Sequence, residues 1–371
     1  MREQRQVVER WHRESALILV TLVRVQGSSY RQPGARLIVC KDGSYEGGIS
    51  AGCLEADLLR KAAWLTRDGA AVERYSTLFD EPAEMPFGLG CGGVLDVLLE
   101  SVSTHECQAL LSAIEASLAG QENIVVTWLP SGGNSVMRAV FHADGQLIFA
   151  SPGLSNESLA QARVMCLDGT NSGVDGIFME RLVPPQRLYV LGAGDDAKPL
   201  VTMASLLGWS VTVVDGRTHL ARRSRFPESD VRVMSNPDGA LREIGPRDAV
   251  VIMSHRYEQD AHCLLTILPA RPRYLGLLGS RQRSALLIAD VAARLRMPVS
   301  ECCELICAPV GLDLGGDGPE AIALAIIAEA QACIIGKGDA CRKLSSDQVE
   351  RYRSTSDARC YLQTQCGLDV A

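Results

Sequence analysis

The stretch from Arg187 to Asp215, RLYVLGAGDDAKPLVTMASLLGWSVTVVD, constrains the fold more than any other part of the chain. Leu188–Leu191 is a short apolar run of strand character, Gly192 to Ala197 is a G-x-G-x-x-A turn, and Ala197–Leu207 repeats apolar residues at helical spacing. A second strand, Ser210–Val214, ends on Asp215, so the segment predicts a β-α-β unit of the dinucleotide-binding kind. In such a unit Gly192 permits the tight turn, Gly194 lets backbone approach a pyrophosphate, and Ala197 lets the helix pack closely on the strand. Asp215, 21 residues beyond Gly194, stands where a carboxylate would accept hydrogen bonds from a ribose diol. Asp195 and Asp196 complicate this expectation: two negative charges there repel an anion, or else they simply cap the helix at its positive end. Arg217 is placed either to pair with Asp215 or to offset that repulsion.

The alternation continues beyond it. Val231–Met234, Asp248–Met253 and Tyr274–Leu278 read as strands and Glu258–Leu268 as a helix, and Gly279-Ser-Arg-Gln-Arg283 leads into another helix. Ligands in such sheets bind outside the carboxyl ends of the strands, which brings His255, Gly279, Ser280 and Arg281 to one crevice. Ser280, Arg281 and Arg283 are placed to meet phosphate at a helix start, or to pair with Asp260 or another acid. His255 is either a ligand-contacting group or a structural histidine.

Before Pro184-Pro185, the linker candidate, the pattern changes. An amphipathic helix (Glu3–Glu14), a buried strand (Ala16–Val25), a polar loop broken by Gly27, Pro33 and Gly34, and a hairpin about Lys41-Asp-Gly-Ser44 lead to Ser50-Ala-Gly-Cys-Leu-Glu55 and a helix to Thr66. Cys53, at a helix N-terminus, is a candidate reactive thiol. Cys91 lies among Gly90, Gly92 and Gly93, a cluster where the backbone turns sharply or something approaches it. Taken singly each cysteine is an inert packing residue; two beside glycine turns suggest a shared site. Strands and hairpins from Ile124 to Phe149 extend this half with antiparallel pairing. The fold class expected is α/β: a mixed α+β N-terminal domain over 1–183, a Rossmann-like parallel-sheet domain over 186–335, and a peripheral polar tail over 336–371.

The whole chain has 371 residues, 47% hydrophobic and 22% charged, with a net charge of −7, a globular composition that excludes nonspecific nucleic-acid binding. Its apolar runs are too short or interrupted to span a bilayer, and no export signal is read, so a cytoplasmic protein is expected. Thirteen cysteines without a C-x-x-C pair fit reduced thiols rather than a disulfide or zinc framework.

Eight segments in order resemble one family: GSSYRQPGARLIV (27–39), SAGCLEADL (50–58), GLGCGGVLDVLLE (88–100), VLGAGDDAKPL (190–200), VTVVDGR (211–217), SHRYEQD (254–260), GLLGSRQR (276–283) and APVGLDLGGDGPEAIALAIIAE (308–329). The chain is similar to the XdhC/CoxI family, accessory factors for molybdenum hydroxylases such as xanthine dehydrogenase. The resemblance implies a protein that binds molybdenum cofactor (molybdopterin), protects it while a cysteine desulfurase partner supplies its terminal sulfur, and hands it to the apo-hydroxylase. It implies a homodimer by family habit. Its motifs map the cofactor-binding positions onto Arg31, Gly52, Cys53, Glu55, Gly90, Cys91 and Gly92, with Cys53 and Cys91 as metal-contacting thiols, since a soft thiolate suits a metal–sulfur centre and arginine suits a phosphate. The chain departs from the family pattern at Ala51, where relatives carry Gly, and at Asp195-Asp196, where they often carry His-Val. A non-catalytic chaperone is the favoured reading. The alternative is an NAD(P)-dependent oxidoreductase using Gly192, Gly194 and Asp215 with His255 as acid/base, although no Tyr-x-x-x-Lys signature accompanies them. A methyltransferase fits less well, because no acid ends the strand before Gly192.

Overall fold

The computed structural model describes residues 2–13, 16–27, 29–50, 52, 54–76, 93–131, 135–168, 176–228, 231–235, 237–336 and 344–354. The chain divides into two compact units, Met1–Pro185 and Gln186–Ala371.

In the first unit the described elements are α1 (Arg2–His12), β1 (Ala16–Gly27), β2 (Arg36–Cys40), β3 (Tyr45–Gly47), α2 (Glu55–Leu65), β4 (Ala71–Ser76), β5 (Gly93–Ser101), α3 (His105–Leu118), β6 (Asn123–Trp128), β7 (Met137–His142), β8 (Leu147–Ala150), α4 (Asn156–Asp168) and β9 (Ile177–Leu182). They build two antiparallel sheets, β3-β2-β1-β5-β4 and β8-β7-β6-β9. Strand β1 is apolar on both faces because both are covered. Ile18, Val20 and Leu22 pack against Leu58 and Ala62 of α2, whereas Leu19 turns to the opposite side and meets α1, α3 and, from the other sheet, Val125 and Val140. Helix α4 closes the far face of the second sheet through Ala162 and Cys166. Each of the buried Leu, Ile and Val side chains contributes about 1.5–3 kcal/mol. The antiparallel strands of this unit thus form two sheets, with helices between and outside them. Strand β4 and helix α4 carry weak local signals, for β4 buries only Tyr75 among its six residues and α4 has no strong apolar stripe.

The second unit holds β10 (Arg187–Leu191), α5 (Ala197–Leu206), β11 (Ser210–Val214), β12 (Val231–Met234), α6 (Pro237–Leu241), β13 (Ala249–Ile252), α7 (Tyr257–Ile267), β14 (Tyr274–Leu277), α8 (Arg281–Leu295), α9 (Val299–Leu305), α10 (Pro319–Ile334) and α11 (Ser346–Ser354). Its sheet is parallel throughout, in the order β12-β11-β10-β13-β14. Successive residues of β10 face opposite ways: Leu188 and Val190 pack toward α5 and α10, Tyr189 and Leu191 toward α7 and α8. This is a Rossmann-type sheet, and its order reverses between β10 and β13, the switch point where ligands bind in open α/β sheets. The polar C-terminal stretch is not wholly peripheral. Leu344 and Val349 are buried in the core beside α8, giving α11 an anchor that its charged sequence hides.

Candidate functional site

In the first unit the loop before β2 is held by backbone hydrogen bonds, Leu22 N–H to Ala35 O (2.9 Å) and Gly34 N–H to Leu22 O (2.8 Å), and leaves Tyr30 exposed. Arg31 donates to Glu3 on α1 and, at 3.4 Å, to the carbonyl of Gly48, so two separate sequence segments meet there. Gly47 has no alternative at its position: φ is +91° and a Cβ would lie 2.2 Å from the Arg36 carbonyl oxygen. Beyond it the Glu55 carboxylate accepts from the N–H groups of Ile49 (2.9 Å) and Ser50 (2.7 Å) and from the Ser50 hydroxyl, while Ser50 Oγ accepts from the N–H of Gly52 (3.2 Å) and Leu54 (3.1 Å). Burial raises the Glu55 carboxyl, but these donors outweigh it and hold the group below the usual carboxylate range. Glu55 therefore shapes the turn before α2 instead of presenting a free carboxylate to a ligand. Gly52 sits in that turn, exposed, with φ +108°. Cys53, Gly90, Cys91 and Gly92 lie outside the described residues.

Two clefts adjoin this corner and share Gln4 and Gly34. One, of about 350 Å³, is lined by Glu3, Tyr30, Arg31 and Arg36; the other, of about 380 Å³, by Pro33, Cys166 and Glu180. Arg36 links them, donating to the Gly34 carbonyl (2.9 Å) and to Glu180. Sequence reasoning missed Glu3, Gln4 and Glu180, because a polar residue on an amphipathic helix or an edge strand reads as a solvated face until the neighbouring loop is placed on it.

In the second unit the glycine turn follows β10 as expected. Gly192 (φ +131°) passes so close to β13 that a Cβ would meet the Met253 carbonyl oxygen at 2.4 Å. The acid at the end of β11 is differently employed. Asp215 is fully buried and accepts from the N–H of Ala193 (2.8 Å), the N–H of Arg217 (2.8 Å) and two nitrogens of its guanidinium (2.9 and 2.8 Å). Its acceptor capacity goes to the turn itself, and the Arg217 pairing is the one of the two sequence alternatives the structure adopts. Asp195 is balanced by Lys198 (2.7 Å) and Arg225 (3.1 Å). Neither acid serves as a side-chain cap of α5: Asp196 makes no such hydrogen bond and instead bonds His255 Nε2 at 2.7 Å. His255 holds a left-handed backbone (φ +63°) at the end of β13. Ser280 caps α8, its Oγ accepting from the Arg283 N–H at 3.2 Å, and Arg281 is exposed in the first turn. Arg283 pairs with the buried Asp260 (2.6 Å), which also accepts from Ser254, so its guanidinium is structural. A Cβ on Gly279 would come within 3.1 Å of it. Gly192, Gly194, Asp215, Arg217, His255, Gly279, Ser280 and Arg281 all follow carboxyl ends of strands in the parallel sheet, and Asp215, Arg217 and Ser280 are spent on bracing the turns there. No group of three or more metal-ligating side chains occurs among the described residues.

The fold defines a two-unit α/β protein whose second unit is of Rossmann type. Residues 188–330 match the XdhC Rossmann domain and residues 10–76 the XdhC and CoxI family, and the chain belongs to that family. It is 28% identical over 315 residues to a probable xanthine dehydrogenase subunit of Bacillus subtilis, covering 84% of this chain and 91% of that one. It is 26% identical over 319 residues to the molybdenum cofactor insertion chaperone PaoD of Escherichia coli, covering 84% and 81% respectively. A solved structure described as a xanthine dehydrogenase from Bacillus halodurans superposes with a TM-score of 0.75 at 27% identity, covering 96% of this chain and 99% of that one.

Proposed function

We propose that this chain is an accessory factor that binds molybdenum cofactor in its first unit and passes it to a molybdenum hydroxylase of the xanthine dehydrogenase type. In this reading a cysteine desulfurase installs the cofactor's terminal sulfur while the factor holds it, and the working form is a homodimer. The observation that carries the proposal is the contact of Arg31 with the Gly48 carbonyl just ahead of the Ser50–Glu55 turn, which brings two family motifs together beside the cleft that Arg31 lines. The names of the relatives point the same way.

The cleft's unpartnered polar atoms, one donor and one acceptor, suit such a ligand. Arg36 Nε and Gln4 Oε1 are buried without a hydrogen-bond partner among the described residues, and both side chains line the cleft beside Arg31. Arg31 would hold the cofactor's phosphate by exchanging Glu3 for the ligand, a charge-assisted contact. Cys53 and Cys91 are proposed to face the metal–sulfur centre, for a thiolate is the soft donor such a centre accepts. The bound group supplies the redox-active metal, while this chain orients it and limits solvent access.

The reading is tested by anaerobic incubation of the purified protein with molybdopterin in reducing buffer, gel filtration, and pterin fluorescence after oxidation. Retention by the wild type, lowered about tenfold in Arg31→Ala, Cys53→Ser and Cys91→Ser, is expected. A wild-type fraction free of pterin would overturn it.

A further inference from the structure

The glycine turn after β10 is occupied by the protein itself. In a dinucleotide-binding unit the second glycine exists so that a pyrophosphate can approach the backbone. Here the group that approaches Gly194 is Asp196: its Oδ1 lies 2.3 Å from where a Cβ on Gly194 would stand. Its other oxygen, Oδ2, is held at 2.7 Å by His255 Nε2. Asp196 stands at the start of α5, in the turn that follows β10, and His255 in the turn that follows β13; the sheet order reverses between these adjacent strands, so the bond spans the switch point at which a ligand would enter. The backbone of Asp196 is helical (φ −67°, ψ −23°) and its carboxylate makes no cap hydrogen bond, so it lies over the turn without satisfying the helix.

The rest of the turn supports this assignment. Asp215, the acid that would meet a ribose, is fully buried beneath the turn and bonded to Ala193 and Arg217. Arg225 donates to the Ala193 carbonyl and to Asp195, both at 3.1 Å, strapping the turn from the other side. A diphosphate arriving here meets a carboxylate already in its place, and the like charge adds to the steric conflict.

We propose that Asp196, latched by His255, is the specificity-determining residue of the second unit: it stands in for phosphate and closes the glycine turn to nucleoside diphosphates, which gain entry once that carboxylate is removed. The inference concerns the second unit alone and does not depend on the molybdenum reading. It is tested by calorimetry of the full chain with ADP-ribose and with inorganic pyrophosphate, comparing wild type, Asp196→Ala, Asp196→Asn and His255→Ala, with thermal melting to verify folding. Asp196→Ala is expected to bind ADP-ribose at least about tenfold tighter than wild type. Asp196→Asn, which keeps the bulk and loses the charge, is expected to fall between them. His255→Ala keeps the carboxylate and removes its partner, so it reports on the latch if Asp196→Ala fails to fold, and it too is expected to exceed wild type. Equal affinity in wild type and every folded variant, whether tight or undetectable, overturns the proposal.

Discussion

The guanidinium of Arg138, on β7, grips the carboxylate of Glu100, on β5, through two hydrogen bonds of 3.1 and 2.9 Å, and neither side chain is more than 1% exposed. The pair ties one sheet of the first unit to the other. Arg138 also donates to the Glu106 carbonyl (2.6 Å) and to Thr127 (3.1 Å), so four of its five N–H donors are partnered.

Breaking one side of this pair leaves a buried charge uncompensated. Glu100→Ala is expected to destabilise the first unit by about 3–5 kcal/mol in urea denaturation. Replacing both residues together with apolar side chains of similar volume is expected to cost much less. A single variant as stable as the double would refute the account.

The glycine turn of the second unit makes a steric prediction. Gly192→Ala puts a Cβ 2.4 Å from the Met253 carbonyl oxygen in a backbone region that L-residues avoid. The variant is expected to lose on the order of 3 kcal/mol or more, since strain and overlap add. Guanidinium melts of the full chain, followed by a probe specific to the second unit, measure it.

Asp215 gives a pH dependence of determinate sign. Burial raises its carboxyl, and the hydrogen bonds from Arg217 and Ala193 more than offset that, leaving it below its ordinary value of 3.8. A depressed carboxyl contributes stability that is complete above the unfolded value and is lost as pH falls through the folded one. The second unit is therefore expected to weaken in acid below 3.8, and Asp215→Asn to flatten that limb while lowering stability at neutral pH. Melting temperatures across an acid series decide it.

The bond between His255 and Asp196 holds the imidazole above its ordinary value of 6.5, the hydrogen bond outweighing burial. NMR titration of the ring is expected to show a raised midpoint in wild type that falls toward 6.5 in Asp196→Asn. By linkage, the stability this pair contributes is complete below 6.5 and lost as pH rises through the folded value. An unchanged midpoint in the variant would mean the bond does not persist in solution.

The described cysteines make a labelling prediction. Burial pushes the thiol of Cys263 up to about 12 and that of Cys303 to about 11, and Cys107 lies well above its usual range. These three are expected to resist iodoacetamide at mildly alkaline pH until the protein unfolds, because neither thiolate nor access is available. Peptide mapping of the labelled chain identifies which thiols react; rapid modification of Cys263 in folded protein would contradict the packing.

Periodicity alone determined the β-α-β unit and the parallel sheet, because a strand buried on both faces needs a continuous apolar run and its turn needs glycine where no Cβ fits. Family motifs singled out Arg31 and the Ser50–Glu55 turn in the sequence, and the fold sets Arg31 against the Gly48 carbonyl just ahead of that turn. Tertiary structure alone decided the employment of the charged residues. A carboxylate at the end of β11 has the same sequence signature whether it awaits a ribose or braces its own turn, and only the approach of Ala193 and Arg217 distinguishes the two. Likewise Asp195-Asp196 read either as helix caps or as charges that repel an anion, and only the segment after β13, distant along the chain, delivers His255 to one of them. Hydrogen-bond partners come from chain folding back over long separations, and no local pattern encodes that distance.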